Sequence, residues 1–289
     1  MKKTAFLIIF SLLICIFSGC EAQMDQADIA ATTLPVFQFT QLLCQGTDLT
    51  VTRLVTESVS CLHDYSLTVR QVKAIEAASL VVISGRGLED FMSHLLVGKH
   101  IIDSSQGIVP LESCHDHQHE GPSHETDPHI WLSAANAKIM AENICKGLCD
   151  AYPQLASAFE ANLVELTGRL QELEDYGKQQ LSSLSGRQLI TFHDGFSYLA
   201  QAYDLTILAA VEEEAGSEVS SKKVIELIEL VRSNDLTAIF TETNGSDAAA
   251  GIIARETGAK LFTLDMAMAG DDYFDAMYHN IDTLREALQ

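Results

Sequence analysis

Apolar residues recur along this chain in two rhythms that take turns. From residue 28 onward, short runs rich in β-branched residues alternate with stretches where apolar positions return every three or four residues. These are the periods of strands and of amphipathic helices. Leu80-Val81-Val82-Ile83-Ser84-Gly85 is apolar almost throughout, as a parallel strand covered on both faces should be. Before it, Ile29 to Leu34 and Leu49 to Val55 predict two strands, with a helix through Phe37, Phe39, Leu42 and Leu43 between them. A second helix opens at Thr68, where Thr68-x-x-Gln71 spells a capping box and Val72, Ile75 and Ala78 share a face. Leu88 to Leu96 predicts a third helix and Lys99 to Asp103 a fourth strand. Strand, helix and strand at this spacing make βαβ units and a parallel sheet.

Ser133 caps a predicted helix running to about Asp150, and Pro153 opens a longer one. Its stripe of Leu155, Phe159, Leu163, Leu166, Leu170 and Leu173 can continue to Leu184, a length on the order of 45 Å. The stripe fades before three heptads, so it predicts a helix joining two lobes rather than a dimer seam. The second half then repeats the grammar of the first. Strands are predicted at Gln188–Phe192, Leu205–Val211, Ala238–Phe240 and Lys260–Leu264, and a closing helix from about Asp271 to Leu288. The expected organisation is a signal segment at 1–19, a tether at 20–27, a first lobe at 28–150, a linker helix at 151–186 and a second lobe at 187–289. The expected fold class is α/β, two similar lobes with mostly parallel sheets flanked by helices.

The N-terminus changes where this protein is expected to work. Lys2 and Lys3 precede the apolar run Ala5 to Phe17, and Ser18-Gly19-Cys20 closes it. That is a signal peptide's charged start, short apolar region and small-residue exit, and the run is too short for a comfortable membrane span. A cysteine after Ser-Gly resembles a bacterial lipobox, with Cys20 as the lipidated first residue of the mature chain; an ordinary secretory signal cut nearby is the alternative. Both readings predict export, and lipidation predicts a chain anchored to the bacterial membrane and facing the periplasm or the exterior. Export would place Cys44, Cys61, Cys114, Cys145 and Cys149 in an oxidising setting, with one thiol left over from any pairing. Loss of Lys2 and Lys3 takes the net charge from −22 to −24. Such a chain does not bind nucleic acid through phosphate neutralisation, and its field mildly enriches cations.

Histidine is where chemistry concentrates. Cys114 to Trp131 holds His115, His117, His119, His124 and His129, half of the ten in the chain. Imidazole suits zinc, copper, nickel and iron. The first four lie among Asp, Glu, Gln, Gly, Pro and Ser, a composition for a loop that gathers metal weakly if at all. His129 follows Asp127-Pro128 and precedes an apolar run, so it can belong to a built site. His63 follows a predicted strand in the first lobe, and His193 and Asp265 follow predicted strands in the second, at the sheet edge where α/β folds bind ligands. Three imidazoles and one carboxylate make a four-coordinate set suited to Zn²⁺. Glu242, just past a strand, reads as a partner behind the ligands. Glu212 to Glu214 read as a solvated loop, and His94, His100 and His279 as surface residues.

The segments His63-Asp64-Tyr65-Ser66-Leu67, Asp127-Pro128-His129-Ile130-Trp131-Leu132, Thr191-Phe192-His193-Asp194, Ala238 to Glu242, and Ala254 to Asp265 resemble the metal-binding solute receptors of bacterial ABC importers, the zinc and manganese uptake family. The likeness spans about residue 28 to the C-terminus. It implies two α/β lobes bridged by one rigid helix with a metal between them, small closure on binding, and a monomer that serves a permease and its cytoplasmic ATPase. It carries the ligand role to His63, His129, His193 and Asp265. Manganese members tend to have a carboxylate at the third place, so His193 implies the zinc type, with Mn²⁺ second. Cys61 departs from the family, as does Met266-Ala267-Met268, where many members have Pro-Leu-Gly. From other classes, a zinc hydrolase with Glu242 as base lacks a His-Glu-x-x-His helix and an open coordination position, and a metal-stabilised adhesin is separated by an uptake assay.

Overall fold

The computed structural model describes residues 27–57, 62, 65–111, 126–212, 219–243, 245 and 248–289. Cys20, His63, Cys61, Cys114 and the four histidines His115, His117, His119 and His124 lie outside the described residues. In chain order the first lobe contains β1 (Ile29–Ala31), α1 (Leu34–Leu43), β2 (Val51–Arg53), α2 (Val69–Ala77), β3 (Leu80–Ile83), α3 (Ser93–Leu96) and β4 (His100–Asp103). Next come α4 (Ala134–Ala151) and the long α5 (Ala156–Leu181). The second lobe follows with β5 (Gln188–Thr191), α6 (Ser197–Ala202), β6 (Thr206–Ala210), α7 (Ser221–Ser233), β7 (Ala238–Glu242), α8 (Ala248–Thr257), β8 (Lys260–Leu264) and α9 (Tyr273–Leu288).

All observed strand pairs are parallel. The first sheet has the order β2-β1-β3-β4, and the second half forms the pairs β5-β6 and β7-β8. Strand period decides which core each side chain joins. Ile29 and Ala31, Leu80 and Val82, Leu189, Ala238 and Phe240 all enter one large core. Their neighbours Ala30 and Val81 face a small cluster with Leu54, Ile75 and Met92 on the outer side of the first sheet. Ile190 and Ile239 face another outer cluster with Val211, Leu227, Val231 and Ile253. Both faces of each sheet are therefore covered, which explains the unbroken apolar runs.

The large core is shared by the two lobes, and α5 runs through it. Phe159, Leu166, Leu170, Leu173, Gly177 and Leu181 of its 26 residues are buried, a helix about 39 Å long. Tight 3₁₀ turns at Pro153–Leu155 and Ser182–Leu184 flank it, so the regular helix is shorter than its apolar stripe. A Cβ on Gly177 would lie 2.2 Å from the Tyr203 hydroxyl; only glycine allows the second lobe that close. Lys138 and Glu174 pair between α4 and α5. Tyr176 donates to Asp282 of α9 at 2.8 Å, and the Arg169 guanidinium stacks 3.9 Å from the Phe274 ring centroid.

Two predicted elements end differently. β1 stops at Ala31 rather than Leu34, because Thr33 is already the N-cap of α1 and Pro35 sits in its first turn, where its fixed φ and missing N–H suit a helix start. Leu88–Leu96 is a 3₁₀ turn at Asp90–Met92 followed by the four-residue α3. Gly85, Arg86 and Gly87 all take positive φ, and the chain turns back so that Glu89 can cap the end of β3 instead of extending a helix.

Candidate metal centre

Two of the histidines are buried, His129 in the loop before a helix and His193 just past the carboxyl end of a strand. His129 follows Pro128 and opens a 3₁₀ turn of Ile130, Trp131 and Leu132, all three fully buried. Asp127 turns back on it: Asp127 Oδ1 accepts from the His129 backbone N–H at 2.8 Å and lies 2.8 Å from His129 Nδ1. His193 follows β5, and its Nδ1 meets Glu242 Oε1, the last residue of β7. Glu242 therefore ends the strand that was expected to stop at Phe240. The two rings lie with centroids 5.4 Å apart at 73°.

The tautomers follow from these contacts. A carboxylate accepts only, so each Nδ1 carries a proton and donates it, and Nε2 is the nitrogen left to offer a lone pair to a metal. Among the described residues neither Nε2 has a hydrogen-bond partner, although both are buried, with His129 2% and His193 3% exposed. A buried polar atom left alone costs about 1–3 kcal/mol, so two side by side mark a place built for something else to bind. Carboxylate behind imidazole is also how proteins fix a metal-ligating ring and raise its basicity. Gly195 keeps the approach clear, since a Cβ there would lie 2.5 Å from His193 Nε2.

Asp265 sits at the end of β8, half-buried. Asn280 of α9 grips its backbone from both sides, accepting from Asp265 N and donating to Asp265 O at 2.7 Å each. Its Oδ1 accepts the Ala267 N–H at 2.7 Å, and the Thr243 hydroxyl donates to Oδ2 at 3.4 Å. Ala267 holds this turn with φ +51°. Among the described residues no group of three or more His, Cys, Asp or Glu side chains could hold a metal ion. The structure thus joins His129 to His193 and does not bring Asp265 into one cluster with them; His63 is not described.

Three partners of this centre had no individual signal in the sequence. Asp127 stands two residues before His129, and the intervening proline, which fixes the geometry of that turn, was the available hint. Asn280 and Trp131 act through contacts with residues distant in sequence that no local pattern displays. Glu212, expected in a solvated loop, is only 5% exposed, and its backbone N–H donates to Phe192 O at 2.7 Å beside His193. Cys44 and Cys145 are buried, and burial pushes both thiols up to about 12; a protonated thiol is a poor metal ligand.

Two α/β lobes around a shared long helix, with two buried histidines each backed by a carboxylate, define a class of metal-binding receptor. The model of the ZnuA family, the periplasmic component A of the zinc-uptake complex, matches residues 29–287, and the chain belongs to that family. The zinc-binding lipoprotein AdcA of Streptococcus pneumoniae (strain ATCC BAA-255 / R6) is 29% identical over 99% of this chain, which spans 61% of the length of AdcA. A crystal structure of ZnuA superposes with a TM-score of 0.81 at 30% identity, covering 91% of this chain and all of that one. The Zn(II)-bound ZnuA-like domain of S. pneumoniae AdcA superposes with a TM-score of 0.77 at 27% identity, covering 91% of this chain and 99% of that domain.

Proposed function

We propose that this protein captures Zn²⁺ outside the cytoplasm, between its two lobes, and delivers it to an ABC permease driven by a cytoplasmic ATPase. It performs no chemistry of its own. Cys20 carries the lipid that tethers the mature monomer to the membrane, and the lobes meet at residues 151–186. The ion is held by His63, His129, His193 and Asp265, with Asp127 and Glu242 behind two of the rings. The observation that carries this reading is the buried pair of imidazoles, each tied at Nδ1 and each, among the described residues, without a partner at Nε2. Imidazole at the third position favours Zn²⁺ over Mn²⁺. The core shared by both lobes favours a small adjustment on binding over a wide hinge motion.

The test is elemental analysis of the purified mature protein after chelation and zinc reloading, with anomalous scattering at the zinc edge. One zinc per chain at about 2.0–2.1 Å from His129 and His193 Nε2 is expected, with binding lost in His129→Ala and in His193→Ala. A protein that takes up no zinc, or takes it up equally well in both variants, would sink the reading. Zinc-limited growth of a deletion strain, restored by wild type and not by His193→Ala, separates transport from metal-dependent adhesion.

A further inference from the structure

The chain has a single tryptophan, and it stands where the two ligand-bearing segments touch. Trp131 is two residues past His129 and fully buried, and its ring packs edge to face on the His129 imidazole with centroids 5.5 Å apart. Its indole N–H donates to Met266 O at 2.7 Å, and Met266 directly follows Asp265. Its own backbone carbonyl accepts the Tyr273 hydroxyl at 2.7 Å, and Tyr273 opens α9 at the far end of the same strap. The strap from Asp265 to Tyr273 belongs by sequence to the second lobe and is pinned to the first. Leu34 N donates to Met268 O at 3.1 Å, Arg53 donates to Gly270 O at 2.7 Å, and Gln38 bonds both Asp272 Oδ2 and Tyr273 N at 2.7 Å. Those pins hold the strap's middle and end. Among the described residues, the hydrogen bond that ties its beginning, next to Asp265, to the segment that presents His129 is the one from Trp131.

We propose that Trp131 is a positioning residue for metal capture, coupling the His129 segment to the Asp265 strap so that a ligand from each lobe is placed by one side chain. Its indole fixes where Met266 O lies, and the turn at Met266 and Ala267 in turn fixes the Asp265 carboxylate. The inference rests on the zinc-receptor reading, and it assigns a role to a residue that touches no metal.

The experiment measures Zn²⁺ affinity by competition with a chromogenic chelator on the mature chain, for wild type, Trp131→Phe, Asp265→Ala and the double variant. Trp131→Phe keeps a ring in the core and deletes the N–H; it is expected to weaken zinc about 10–100-fold, the usual cost of disturbing a partner of a ligand. If Trp131 acts through Asp265, the double variant binds no more weakly than Asp265→Ala alone. Losses that simply add would overturn the proposal and leave Trp131 as packing only. Tyr273→Phe releases the other end of the strap from Trp131 while keeping its ring, and a smaller loss that is also absent in the Asp265→Ala background is expected even if Trp131→Phe folds poorly; an additive loss there counts against the proposal too. Wild-type protein that binds no zinc at all would instead sink the zinc-receptor reading, a distinct outcome.

Discussion

In the first lobe, β1 and β3 are joined by a ladder from Ile29–Leu80 to Ala31–Val82. At the corresponding place in the second lobe, β5 and β7 lie within 8 Å of each other, but the described ladders pair β5 only with β6 and β7 only with β8. Read across, the order β2-β1-β3-β4 is answered by β6-β5, β7-β8. The gap between the central strands is where open α/β sheets take their ligands, at the carboxyl ends. The two lobes fill that place with the same residue type and different partners. In the first lobe Glu89 folds into it, accepting from the Thr32 hydroxyl and Ser84 N at 2.7 Å and from Gly85 N at 3.0 Å. In the second lobe Glu242 occupies it and takes His193. One carboxylate closes a sheet end by satisfying backbone donors; the other leaves a ring nitrogen to be satisfied from outside.

The largest expected effect comes from protonating the first of these carboxylates. Burial pushes Glu89 up to about 7 from the ordinary 4.5, with nearby Asp103 adding to the rise, while bonds from Thr32, Gly85 and Ser84 pull it down. The folded chain therefore holds this proton more tightly than the unfolded chain. That contribution to stability is fully present below about pH 4.5 and is lost as pH rises through about 7. Its size is on the order of 3 kcal/mol across the window. Urea unfolding of metal-free protein at about pH 5 and pH 7.5, compared with Glu89→Gln, isolates the effect. The wild-type minus variant difference should shrink toward high pH; a difference that does not change with pH would show that Glu89 is ionised throughout and that the first lobe's closure is not what burial implies.

Affinity should separate the two carboxylates next. Glu242→Gln keeps volume but replaces the acceptor that orients His193, and a loss in zinc affinity of about 10–100-fold is expected. Glu89→Gln should leave affinity within about 2-fold and show itself only in stability. Equal losses of affinity in both variants would erase the distinction between a structural and a functional strand end. The readout is the same chelator competition for each.

What the sequence displayed and what it hid divide along the same line. Local chemistry was legible: the Thr68–Gln71 capping box, the Ser133 cap, the apolar β3 and the stripe on α5 all depend on residues within a few positions of one another. His193 could be named because a histidine at a strand end carries its own signal, and His129 because Pro128 stiffens the approach to it and an apolar run follows. Long-range partnerships could not. Glu242 reads as a partner behind the ligands, but nothing local names His193 as the ring it holds; that pairing, Trp131 against Met266 and the Asn280 grip on Asp265 join segments that only the folded sheet brings together. The early end of β1 and the broken Leu88–Leu96 helix had local causes, Pro35 and the run of positive φ at Gly85, Arg86 and Gly87, but the pull on that second turn is again distant, since Glu89 must reach Thr32.

The smallest effect tests whether the lobes are separate at all. Thr68 caps α2 in the first lobe and Ser220 caps α7 in the second, each accepting from a backbone N–H, at 3.3 Å from Gln71 and 3.2 Å from Lys223. Replacing either by alanine should cost about 1 kcal/mol. Thr68→Ala should cost the more, because Gln71 also donates to Leu54 O at 2.8 Å and to the Tyr65 hydroxyl at 2.6 Å, and losing the box loosens both. A core that includes Phe39 of α1, Leu170 of α5 and Met277 of α9 belongs to both halves, so each variant should shift one cooperative transition rather than one of two. Fluorescence of Trp131 and far-UV circular dichroism would then trace a single urea curve in both variants. Two transitions, each moved by only its own lobe's cap, would mean that the halves unfold independently and that the shared core does not bind them.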